Sequence, residues 1–448
     1  MFKAVETLLP PARVTSYSPD PLMYLHSISI AVGLFILYFF IIKDLRFSSK
    51  RIFQTALFSL FLKFLNAIGI QGLIFFGHLY EGGDSLYYDD MGHQILPLIR
   101  DEPVKFIFDY LTGTSISREG TMFSLTGILY YLTGMPSLLA ASVVGAFVSS
   151  LGAYLFFKAY RLGFPQSGYH LYGYLIFLFP SLIFWTSQHL KEPWIFFYMG
   201  LMTYGSTLLL QRKWIKGTIY ALVGFYMGFH IKAYLVFFIL CSFGCPVLMV
   251  RMKPPVLAML VKILILAGAS YVMSRTFAIV DEVYLGSSSF FEQMSLVKNF
   301  SVRGGSAIEL KSIDSLSQIG NLFYNLFSVL YRPLIFEARN PFTFFASLET
   351  TTLLALTLAS LKSVWPFWKK PSFWFFLVAF TLMFSVAFSF QIGNLGTMMR
   401  IKVSLLPFLF MLFSYHLSPR KKKNPALSSC VLSNSFMTVQ NASGKIIS

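Results

Sequence analysis

Charge is what this chain has least of. Only 12% of its 448 residues are Asp, Glu, Lys or Arg, roughly half the share of a soluble globular domain. With 56% hydrophobic residues beside so few charges, a water-soluble fold is excluded and a polytopic membrane protein is expected. Cysteine is nearly missing too. Cys241 and Cys245 fall inside one apolar stretch and Cys430 lies in the tail, so there is no disulfide framework and no zinc spacing. The start of the chain has no basic segment leading into a short apolar core and a small-residue cleavage site, so the first apolar run is expected to stay as an anchor. No repeat of fixed period is present. Acids are scarce, 19 against 36 Lys and Arg. That basic excess implies no nucleic-acid partner, because it sits in short loops between apolar runs and not on one polar face.

What the chain does have is apolar runs of spanning length. Runs of roughly 17–25 residues cross a bilayer, and eleven candidates occur, at 24–43, 52–77, 137–157, 169–185, 193–211, 217–231, 233–250, 256–273, 342–362, 373–390 and 403–417. An odd count puts the termini on opposite sides, and the Lys/Arg bias sets the orientation. With residues 1–23 outside, the inner loops 44–51, 158–168, 212–216, 251–255 and 362–372 are all basic, and Asp44 is the only inner acid. The expected fold is therefore all-α, a transmembrane helical bundle over 24–417 with about 11 spans. Its N-terminus is outside, two large outer loops cover 78–136 and 274–341, and a disordered basic tail over 418–448 is cytoplasmic. Thr121 to Gly134, apolar but only fourteen residues long, is expected to form a re-entrant or interfacial helix on the outer face.

Polar residues at or inside the hydrocarbon need a reason, since each costs several kcal/mol unless paired or wetted. Four groups stand out. The stretch from Glu81 to His93 follows directly on an apolar run and carries Asp84, Tyr88, Asp89, Asp90 and His93, with Gly82-Gly83 permitting close backbone approach. His189, Lys191 and Glu192 sit between two spans, where interfacial charges with Pro193 at the first helical position are the alternative reading. Arg332 and Glu337 lie together, either as site residues or as a structural pair, with Glu349 two turns into the next span. Finally Asn394, Arg400 and Lys402 form a short outer turn that breaks the inside bias, which suggests either an anionic partner or headgroup anchoring. Lys63, with Asn66 one turn later, is expected to line the same cavity from the second span.

Residues 52–250 resemble the GT-C class of multi-spanning glycosyltransferases. Gly83-Asp84-Ser85-Leu86-Tyr87-Tyr88 is similar to the class context Gly-Asp-x-x-x-Tyr after a span, and Pro180, Ser187 and Glu192 follow in the order of its Pro…Ser…Glu stretch. The resemblance implies sugar transfer at the outer face of the membrane, from a polyprenyl-phosphate carrier, or a pyrophosphate one in the polymerase alternative, to a glycan or lipid-linked acceptor; a polytopic chain with a basic inner tail is compatible with a bacterial inner (plasma) membrane. Asp84 would be the catalytic base of an inverting displacement, with Asp89, Asp90 or Glu192 assisting or holding a divalent cation such as Mg or Mn. Arg400, with Arg332 or Lys191, would bind the lipid phosphate. His93 and His189 read as hydrogen-bonding neighbours. The chain departs from the class in an additional span before the core and in the Asn394–Arg400 turn, which resembles polysaccharide polymerases and ligases that join lipid-linked repeats. A flippase for lipid-linked sugars is a further alternative.

Overall fold

The computed structural model describes residues 21–70, 72, 84–112, 120–249, 320–338, 341–365, 370–389 and 394–419. The candidate span 256–273, the Gly82-Gly83 pair, most of the 274–341 loop and the tail from residue 420 lie outside them.

Among the described residues no β-strand occurs. Six helices are long and apolar enough to cross a membrane: Pro21–Ile41, Lys50–Gly69, Leu138–Gly163, Trp214–Pro246, Thr343–Leu361 and Ser372–Ser389. A seventh crossing results if Leu395–Lys402 and Leu406–Leu417, bent by 60° to each other, count as one. Ten of the eleven expected spans fall wholly or partly on described residues, and six or seven crossings meet that test there, for local reasons. The run at 169–185 is broken at Phe179, which precedes Pro180 and is extended (ψ 125°), as the residue before a proline usually is. Glu192–Leu210 has the length, but its Tyr, Thr, Ser and Gly residues make it less apolar, and it is buried almost throughout.

The pair expected at 217–231 and 233–250 falls in one helical stretch, Trp214–Met249, with non-helical torsions at Lys232 (φ −149°, ψ 85°). A straight helix would hold residues 228 and 236 about 12 Å apart. Yet a methyl group on Gly228 would meet the Val236 side chain and the Tyr198 ring together, so the two halves double back at Lys232. The second half then runs antiparallel to Ser372–Ser389, with Tyr234 against Phe388, Phe238 against Phe384 and Phe243 against Phe376.

We label α1 (Leu138–Gly163) and α2 (Glu192–Leu210) as the centre of the bundle. They touch through glycines: a Cβ on Gly152 would lie 2.8 Å from the Phe196 carbonyl, and one on Gly200 would lie 2.8 Å from that of Gly152. Small residues at a crossing let backbones pack directly, the usual device of helices in lipid.

The bundle has two chemically distinct ends. At one end Asp44 meets Tyr154 and Lys158, Arg161 meets Ser48, Gln211 donates to the Leu162 carbonyl, and Gly168 N donates to Pro419 O. These are the basic loops expected to lie together on one side. At the other end stand Asp84, Glu192, Lys232 and Arg400. There α3 (Asp84–Asp101) and α4 (Gly120–Thr133) pack on each other. Helix α4 buries its first eleven residues except Leu125, so it is a packed element of fourteen residues and not a crossing.

Gly152→Ala is expected to lower the stability of the detergent-solubilised protein by about 1–3 kcal/mol, because the added methyl group meets backbone atoms. Gly33→Ala, with nothing within 4 Å of its Cβ position, is expected to leave it unchanged. Thermal unfolding of the two variants checks this.

Candidate functional site

Asp84 opens α3 and Glu192 opens α2, while Arg400 sits in the last turn of α5 (Leu395–Lys402). Asn394 starts α5. Its backbone is extended and its Oδ1 accepts from Gly396 N at 2.8 Å and Thr397 N at 3.3 Å, so this residue caps the helix that carries Arg400. Of all the expected site residues, three converge. Arg400 Nη1 lies 2.6 Å from Asp84 Oδ2, and Arg400 Nε lies 2.8 Å from Glu192 Oε1. Lys232, the residue between the expected spans 217–231 and 233–250 and not among the expected site residues, places Nζ 3.6 Å from Glu192 Oε1. The helix break at Lys232 brings this amine to the carboxylate, and Tyr198 Oη steadies the break by donating to the Lys232 carbonyl at 3.3 Å.

The two acids differ in setting. Asp84 is half exposed at 49%, whereas Glu192 is 2% exposed. Burial pushes the Glu192 carboxyl up, and the charges of Arg400 and Lys232 more than reverse this, leaving it below the usual value. Neither Glu192 oxygen receives a well-directed hydrogen bond, so the short Arg400 contact is an ion pair with acceptor capacity to spare. The cluster alternates in sign, Asp84, Arg400, Glu192, Lys232, and sums to zero.

The remaining expected residues fall into separate networks. Asp89, fully buried, accepts from Tyr130 Oη, with His93 Nε2 at 3.9 Å. Asp90 accepts from Gln94 at 3.2 Å. His189 is buried, with Nε2 3.0 Å from Thr126 Oγ1 and its ring edge-on to Tyr88, while Lys191 lies 5.6 Å above the Tyr88 ring. Asp89, Tyr88 and His189 therefore tie α3 and α4 to the bundle and do not join Arg400. Their signal, acids and histidine at helical spacing, was the same for tie and site.

Arg332 pairs with Glu337 and reaches Tyr324 Oη at 3.3 Å, the structural alternative weighed above. Lys402 is buried and donates to the carbonyls of Leu330 and Arg332, each at 3.1 Å. It fastens α5 to the end of Asn321–Tyr331. Glu349 accepts from Ser181 N at 2.7 Å and from Ser181 Oγ, satisfying the backbone that the Pro180 break leaves open. Lys63 donates to Ser149 Oγ at 2.8 Å, and Asn66 to Ser187 Oγ at 2.6 Å. Lys63 thus staples two helices, and Asn66 ties its helix to the turn after Trp185.

A divalent cation finds no ready seat. Among the described residues no three His, Cys, Asp or Glu side chains are grouped to hold a metal, Arg400 stands between Asp84 and Glu192, and Asp89 is engaged by Tyr130. Among the described residues, no set fits Mg or Mn. In comparison with known proteins, no family model, no curated protein and no solved structure matches the chain.

Burial gives two groups opposite pH signatures. Asp89 is pushed up to about 6 by burial, against its ordinary 3.8, so the folded chain holds that proton where the unfolded chain has lost it, and stability falls as pH rises from about 4 to 6. His189 is pushed down to about 4 from 6.5, also by burial, so its contribution rises over nearly the same window. The two oppose each other in the wild type. Asp89→Asn is expected to remove this falling component, so that stability rises more steeply with pH between about 4 and 6 than in the wild type. Urea unfolding across that range, followed by tryptophan fluorescence, checks the sign.

Proposed function

We propose that this chain is a polytopic membrane glycosyltransferase that takes a sugar from a polyprenyl-linked donor at the outer membrane face. One observation carries the reading: a half-exposed carboxylate and a buried one, from elements more than a hundred residues apart, share a single arginine at one end of a helical bundle. The other ion pairs among the described residues, such as Arg332–Glu337, join one acid to one base. An arginine whose planar fork faces an exposed edge suits a phosphate oxygen.

In the proposed reaction the hydroxyl oxygen of the acceptor attacks the anomeric carbon of the donor sugar. The bond from that carbon to the phosphate oxygen breaks, and its electron pair leaves on the phosphate, where Arg400 and Lys232 offset the charge. The hydroxyl proton passes to the Asp84 carboxylate. Glu192 holds Arg400 and Lys232 in place from below. Polymerisation of lipid-linked repeats would use the same centre and is told apart by a long polymeric product in place of a singly extended one.

Asp84→Asn is expected to reduce transfer at least about 100-fold while the protein inserts and purifies normally. Full activity in that variant overturns the assignment of the base. Arg400→Gln is expected to reduce transfer as strongly. For the orientation, single cysteines at Glu102 and Lys213, in a protein otherwise free of cysteine, are expected to be labelled from outside and from inside respectively by a membrane-impermeant maleimide. The reverse pattern would place the acid cluster in the cytoplasm.

A further inference from the structure

Asp84 and Glu192 are not equivalent partners of Arg400. Glu192 is 2% exposed, begins a buried helix and is shared with Lys232. Asp84 is 49% exposed, and its single described ion pair is the one to Arg400 Nη1. One bond of the guanidinium is therefore anchored from beneath, and the other faces outward to a carboxylate that water already reaches. Exposed pairs of this kind are weak, so the outer bond exchanges readily and the inner one does not.

From this geometry we infer that Asp84 is a resident stand-in for the ligand's phosphate, displaced from Arg400 when an anionic phosphate diester of a lipid binds there. The inference rests on the proposed function and adds its regulation: the anion that takes Arg400 releases the carboxylate that accepts the acceptor's proton. Charge arithmetic names the class of ligand. Arg400, Lys232 and Glu192 sum to one positive charge once Asp84 has swung away, and one negative charge restores neutrality. A phosphodiester carries one; a pyrophosphate diester carries two. The site therefore favours a sugar linked to the lipid through a single phosphate.

The exchange predicts that removing the competitor strengthens binding, the reverse of what a purely structural ion pair or a direct Asp84–ligand contact would do. The purified full chain in detergent is titrated with citronellyl methyl phosphate, a prenyl diester of single charge. Dimethyl phosphate, the same headgroup without the lipid, and P1,P2-dicitronellyl pyrophosphate serve as comparators. Asp84→Asn is expected to bind the prenyl phosphodiester about five- to tenfold tighter than the wild type. Arg400→Gln is expected to lose binding, and Glu102→Gln, an exposed acid on the same side, to match the wild type. Asp84→Ser gives the same reading should the Asn variant fail to accumulate.

Equal or weaker binding by both neutral Asp84 variants overturns the inference. Stronger binding of the pyrophosphate overturns the single-charge part, and equal tightening toward dimethyl phosphate would identify a free anion site in place of a lipid one. Because no sugar is present, this outcome is independent of transfer. Tightened binding in a chain that transfers no sugar would retain the exchange and discard the transferase reading.

Discussion

The organisation of this molecule depends on how a guanidinium is kept charged at the rim of an apolar bundle. Arg400 has its Nε against a buried carboxylate and its Nη1 against an exposed one, and removing the buried partner is the costly loss, because it leaves a charge uncompensated where water does not reach. The charge draws three distant stretches together: the start of α3, the start of α2 and the short turn before the last helix. The fold positions the charged groups with three devices. A capping asparagine starts α5, a helix start holds Glu192, and a helix reversal delivers Lys232.

The two ends of the bundle divide labour through charge. One gathers Lys158, Arg161 and the 44–51 loop around the single acid Asp44, a pattern that fixes a helical membrane protein's orientation. The other balances acid with base, residue for residue, and leaves one face of the set open to water. A cluster that is neutral, buried below and wet above is poised to exchange partners, whereas one neutral and buried throughout is only a clasp. The Arg332–Glu337 pair, each side chain 20% exposed, is tied further to the Leu334 amide and Tyr324, which makes it a local clasp.

Much of this was legible in the residues. Apolar runs separated by basic loops implied a helical bundle with two unlike ends, and the misplaced positive charge of Arg400 called for an anion. The anion turned out to be the protein's own acids. What could not be read was which carboxylates would reach it, because Asp84, Asp89 and Asp90 lie within two turns of one helix and only its rotation decides that Asp84 faces Arg400 while Asp89 faces Tyr130. Lys232 was visible only as a flaw in an apolar stretch, since its value lies in a backbone reversal that periodicity does not encode. Apolarity is a weaker guide where packing replaces lipid: α2, expected as a span, and α4, expected as a short outer helix, are surrounded by protein, so the polar content of one and the short length of the other are tolerated.

The break at Phe179-Pro180 has a bearing on how the chain comes together. It leaves the amide of Ser181 without a partner in its own helix, and the group that satisfies it, Glu349, lies 168 residues further along. During stepwise synthesis the early half of the bundle emerges with that polar gap still open in an apolar surrounding. Its final seating waits for the late helix to arrive, so a chain truncated before residue 349 lacks the piece that closes its own first half.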